Sequence, residues 1–153
     1  MAYNGQTSVT LSYQTAEDLS TAQFGFVKQD STGRLVACDS THYALGILEN
    51  SPSPMVTDLA GNVVPGQYAG TVAVEGVTRV CVGDAYAVGT WIVPGIVDGT
   101  TGIGLSLQDS TGSAASSCGF IRALLLEAST APYDVVACLL VPCQPGNDST
   151  VIK

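Results

Sequence analysis

Hydrophobic and polar residues alternate most regularly over residues 71–93, where the chain reads TVAVEGVTRVCVGDAYAVGTWIV. Val72 and Val74 alternate with Ala73 and Glu75, and Gly76 then interrupts the run. Val80 and Val82 alternate with Arg79 and Cys81 before Gly83-Asp84 turns the chain. A period of two with β-branched residues on one face belongs to strands half buried against a core. The stretch predicts a pair of strands on either side of Gly76, with Glu75 and Arg79 on the outward face. A further strand follows over residues 85–93, with Trp91 in the core.

The same pattern, weaker, runs through the rest of the chain. Residues 1–13 are polar with a faint alternation at Val9, Leu11 and Tyr13, so residues 1–15 are read as an N-terminal arm or an edge strand. Thr15-Ala16-Glu17-Asp18 has the form of a capping box and predicts a short helical turn as far as Ala22. Residues 24–28, a turn over 29–33 and a return over 35–38 predict a hairpin. Residues 43–49 predict a strand, ended by Pro52 and Pro54 because two prolines cannot continue a ladder. Residues 55–68 predict a loop or short hairpin inserted before the central strands, and residues 94–104 a turn-rich return from them. The polar residues 108–117 predict an exposed loop. Residues 120–126 and 133–141 predict the closing strands, and residues 143–153 a flexible tail. The fold class expected is all-β: one domain over residues 16–142, a compact β-barrel or β-sandwich with short helical turns and an extended N-terminal arm.

Composition and charge remove several functions. A chain of 153 residues is long enough for one substantial core. Charged residues make up 12% of it, against about 25% in an average soluble domain. The five basic residues Lys28, Arg34, Arg79, Arg122 and Lys153 are scattered and face 13 acids, for a net charge of -8. Nucleic acid needs clustered cations and is not an expected partner, nor is an anionic membrane. The opening MAYNGQTSVT lacks the charged and apolar regions of a secretory signal. The apolar runs are far shorter than the ~20 residues of a membrane span, and synthesis in a cytoplasm is expected. The five cysteines, Cys38, Cys81, Cys118, Cys138 and Cys143, are odd in number and match no zinc-ribbon or CxxC spacing. Free thiols, mostly buried, are the expectation.

Candidate chemistry is sparse. With His42 as the single histidine, zinc sites built on two or three imidazoles are excluded. Cys38 and His42 suggest a thiol with its base, but such pairs usually come from separate elements, and the structural reading is preferred. Residues 99–104 are Gly-rich without a Walker lysine or GxGxxG, so a series of turns is preferred to a phosphate loop. The acids Asp30, Asp39, Asp58, Asp84, Asp98 and Asp109 stand almost entirely beside Gly, Ser or Thr, where Asp caps turns. No pair stands out as a general acid and base, or as a calcium loop. Trp91 and the six tyrosines suggest a sugar-stacking platform, against which Trp91 lies amid Ile92 and Val93. No catalytic residue, cofactor or metal is expected.

The order of the short segments, more than any one of them, resembles the capsid decoration (head cement or stabilisation) proteins of tailed bacteriophages. Asp18-Leu19-Ser20-Thr21-Ala22-Gln23-Phe24, followed by Val27-Lys28 and Gly33-Arg34-Leu35-Val36, is similar to that family's opening. Gly46-Ile47-Leu48-Glu49-Asn50-Ser51-Pro52 resembles its G-V-L-x-N-x-P segment, and residues 72–82 its central V-x-x-x-G-V-x-x-V strand pair. Arg122-Ala123-Leu124 with Leu126-Glu127-Ala128-Ser129 resembles its late A-L-E-A element. The similarity runs over residues 17–142. Residues 55–70 look like an insertion, and the family's G-D after the second central strand stands here as Gly89-Thr90, with Gly83-Asp84 earlier.

The resemblance implies a protein without catalysis that assembles as a homotrimer at threefold or quasi-threefold positions on the outside of the virion's capsid. It implies the major capsid protein as partner and shell stabilisation as the role, often with an N-terminal arm reaching neighbouring subunits. Tyr3, Val9, Leu11 and Tyr13 are the expected capsid contacts. Two alternatives belong to other classes. A virion-displayed glycan-binding or adhesin β domain needs an aromatic platform or a calcium site. A dUTPase-like trimeric enzyme needs a phosphate-binding segment and a catalytic aspartate context that this chain lacks.

Overall fold

The computed structural model describes residues 8–52, 55–57, 59–61, 63–65, 69–106, 109 and 121–142. Its organising element is β7 (Ala69–Cys81), a single strand of 13 residues. The predicted pair of strands around Gly76 is therefore corrected to one. Gly76 has φ 93, a conformation open to glycine without strain, and the backbone passes through it without ending the ladder. What changes at Gly76 is the partner. Residues 69–75 pair antiparallel with β1 (Val9–Gln14), and residues 76–81 with β11 (Val135–Pro142).

The eight strands β3 (Leu35–Ala37), β2 (Phe26–Gln29), β4 (Gly46–Leu48), β7, β11, β10 (Ile121–Leu125), β8 (Trp91–Val97) and β9 (Thr100–Ser106) follow one another in that order. Every pairing between these strands is antiparallel. The sheet curls into a nearly closed barrel. β9 returns against β2 so tightly that a Cβ on Gly102 would lie 2.7 Å from the Phe26 carbonyl oxygen. The Gly83 amide donates to the Gly104 carbonyl at 2.8 Å on the same seam. Phe26, Ile47, Val80, Ile92, Leu125 and Cys138 fill the barrel.

A minor core lies on the other face of β2, β4 and β7. It holds Leu19, Val27, Leu35, Leu48 and Val72, all buried, with Tyr13 packed against them. β1 covers this core. It runs along β7, and past its end Thr15 bridges Leu35 of β3 while the Ala16 amide donates to the Leu35 carbonyl at 2.9 Å. Adjacent Val72 and Ala73 of β7 are both buried because successive side chains enter different cores.

Several expectations are refined. Thr15 is held in its bridge and caps no helix; the segment makes only a turn, with the Ala22 amide donating to the Leu19 carbonyl at 3.0 Å. No helix occurs among the described residues. Residues 85–90 form a loop instead of a strand, because buried Ser129 captures it: its Oγ donates to the Asp84 carbonyl at 2.8 Å and accepts from the Tyr86 amide at 2.7 Å. The strand begins at Trp91 and continues through Pro94 to Val97, so much of the predicted turn-rich return is the β8–β9 ladder. Among the described residues β10 last pairs with β8 at Ile92, and Pro94 pairs with Gly104 of β9. Asp98-Gly99, with φ of 49 and 79, makes the two-residue hairpin turn. Trp91 is half-exposed, because the pleat that turns Ile92 into the barrel turns Trp91 away.

Residues 55–68 contain a short hairpin, β5 (Met55–Thr57) with β6 (Val63–Pro65). The predicted hairpin of β2 and β3 and the closing pair of β10 and β11 are present. Tyr3, Cys118, Cys143, residues 143–153 and, apart from Asp109, residues 108–117 lie outside the described residues. Among the described residues no helix is long and apolar enough to cross a membrane.

Candidate functional site

Where β7 exchanges β11 for β1, the two partners diverge and leave a groove of about 660 Å³. Leu11 of β1, Val74 of β7 and Pro142 of β11 contribute from the strands that meet there. Tyr43, Ala44 and Leu45 contribute from the loop that leads into β4, and Lys28, Gln29 and His42 form its polar side. Val74 and Leu45 also pack against the minor core, so the groove opens directly onto buried apolar surface. Its edge carries large exposed apolar side chains: Leu11 is 43% exposed, Tyr43 47%, and Val9, two residues along β1, 52%.

β1 explains this exposure. Val9, Leu11 and Tyr13 alternate with Thr10, Ser12 and Gln14, and a strand places alternate side chains on one face. Tyr13 reaches the minor core, whereas Leu11 stands over the groove and Val9 beyond it. Of the contact residues expected from sequence, Val9, Leu11 and Tyr13 are thus carried by one strand, and Leu11 alone lines the groove. Tyr43, Leu45, Val74 and Pro142 were not anticipated. Nothing in their local patterns marks them, since they converge only through pairing of distant segments.

The polar side is a tight cluster. Asp39 Oδ1 lies 2.7 Å from His42 Nδ1 and accepts from the Thr41 hydroxyl at 2.6 Å and the Thr41 amide at 2.9 Å. Lys28 Nζ is 3.8 Å from the other carboxylate oxygen. Burial by itself would raise the Asp39 carboxyl; the hydrogen bonds from Thr41 and His42, with the Lys28 ammonium, outweigh it and hold the group well below the usual carboxylate range. The Cys38 thiol faces carbonyls, those of Asp39 and His42, each at 3.5 Å. Burial pushes it up to about 12, so it is a protonated thiol while the imidazole Nδ1 addresses the carboxylate. Among the described residues no cluster of three or more His, Cys, Asp or Glu side chains is arranged to hold a metal.

The described tyrosines are dispersed. Tyr13 packs on the minor core and Tyr86 on the main one. The Tyr86 hydroxyl donates to Asp109 and that of Tyr133 to Asp98, each at 3.0 Å. The groove can accept apolar side chains from an extended segment, with β1 and the residue 43–45 loop as its walls. No protein-family model matches the chain, and no curated protein matches its sequence.

Proposed function

We propose that the protein is a capsid decoration protein. It binds the outer surface of an assembled bacteriophage head as a homotrimer at threefold or quasi-threefold positions, makes its contacts with the major capsid protein, and stabilises the shell without catalysis. The ordered motifs over residues 17–142 support the reading. The observation that carries it is the exposed apolar edge of Val9, Leu11 and Tyr43 beside an apolar groove, on a chain with 12% charged residues. A soluble domain leaves such a surface open where another protein covers it. A ligand that binds only the assembled lattice stabilises it by linkage, and repetition over a symmetric shell multiplies weak contacts.

The test is to add purified protein to undecorated mature heads and to unexpanded proheads. Saturable binding to mature heads at threefold sites is expected, and absence of binding to both particles rejects the proposal. Each large apolar side chain fully buried contributes about 1.5–3 kcal/mol. The double variant Val9→Asp, Leu11→Asp should therefore lose at least about tenfold in affinity. Its thermal transition should remain, because both side chains are exposed. Sedimentation equilibrium should return three times the 15.6 kDa chain mass.

A further inference from the structure

Four strands carry a row of apolar side chains across the outer surface of the barrel. Trp91 of β8 pairs with Leu124 of β10, Leu124 with Leu139 of β11, and Leu139 with Val77 of β7. Directly opposed residues share a face of the sheet. Their neighbours Ile92, Ala123 and Cys138 fill the barrel, so this row points away from it, and all four side chains are half-buried. Farther along the same face stand Arg79 and Val135, both exposed. Charge sets the face apart. β8, β10, β11 and residues 76–81 contain no Asp or Glu, so all 13 acids lie elsewhere in the chain, with three basic residues, Lys28, Arg34 and Lys153. Arg122, the other cation of these strands, is buried.

The β5–β6 hairpin supplies a match. Among the described residues its two strands pair only with each other, and a lone two-stranded hairpin is marginally stable in water. Leu59, in the turn between them, is fully exposed. We propose that the β5–β6 hairpin of one copy docks on this outer face of a second copy, with Leu59 against the row from Trp91 to Val77. Charge selects a second copy as the occupant. A chain of net charge -8 repels itself, and an acid-free face bearing Arg79 is where that repulsion is least and where the acid excess of the remaining surface is complemented. The contact joins two different patches, so it runs head to tail and closes into a ring. It rests on the homotrimer of the reading above and assigns the interface, leaving the Val9, Leu11 and Tyr43 edge to the capsid.

Full-length protein carrying p-benzoylphenylalanine in place of Leu59 is irradiated without heads, and the species at twice the chain mass is mapped by mass spectrometry. Crosslinks between chains to Trp91, Leu124, Leu139, Val77 or Val135 are the expected result. Crosslinks between chains elsewhere, crosslinks confined to one chain, or none overturn the proposal. In a second measurement, Leu59→Asp should raise the dissociation constant of self-association at least tenfold by sedimentation equilibrium, with an unaltered far-ultraviolet circular dichroism spectrum. Equal association of variant and parent overturns the proposal. A parent chain that stays monomeric overturns it too, and leaves capsid attachment to the head-binding test.

Discussion

Gly102 and Gly99 stand three residues apart, both at positive φ (90 and 79), yet they answer to different constraints. At Gly99 a Cβ meets nothing within 4 Å, whereas at Gly102 it meets the Phe26 backbone across the barrel seam. Gly99→Ala should cost only the left-handed backbone penalty, about 1–2 kcal/mol. Gly102→Ala adds a clash that side-chain rotation cannot relieve and should cost at least about 3 kcal/mol. Chemical denaturation of the two variants checks the difference, and equal losses would refute the seam. Asp39 supplies a second residue-scale expectation. Its folded carboxyl is held below the ordinary value of 3.8, so its contribution to stability is present above that pH and lost as pH falls below it. Asp39→Asn should flatten that part of the acid limb in pH-dependent melting; an acid limb identical to the parent's would discount the cluster.

At the scale of elements, β1 does two jobs with one face. Tyr13 covers the minor core, and Leu11 is presented to the groove. Tyr13→Ala should cost about 2 kcal/mol, whereas Leu11→Ala should stay within about 0.5 kcal/mol in stability. If both variants melt alike, β1 is not seated as described. Its alternation was legible in the sequence as a weak signal, compatible with an arm or an edge strand. Pairing with β7 required a segment more than 50 residues away to be in place, and the Thr15 bridge one 20 residues away at Leu35. Residues 85–90 show the converse. Their pattern favours a strand, but Ser129 takes the backbone hydrogen bonds that a ladder would need.

Over the whole molecule, two cores share the strands β2, β4 and β7, and the thiols report on how well both are closed. Cys38 and Cys138 are buried, and burial pushes each up to about 12. Neither should react with a thiol reagent at neutral pH except through unfolding, and labelling mapped by mass spectrometry should show them modified only as denaturant is added. Prompt native labelling of Cys138 would mean an open barrel. That these thiols are free was expected from the odd number and spacing of the cysteines, and their burial from the small apolar character of the side chain.

What the sequence determined by itself is local. Alternation at period two and sparse charge specify strands around an apolar core, and Asp beside Gly, Ser or Thr specifies turns, because each depends on neighbours along the chain. The tertiary structure decided which strand pairs with which: that Gly76 marks a change of partner within one strand, that Trp91 turns outward, and that Leu11, Tyr43, Val74 and Pro142 meet. Those outcomes rest on contacts between residues far apart in sequence, whose free energy no local periodicity records.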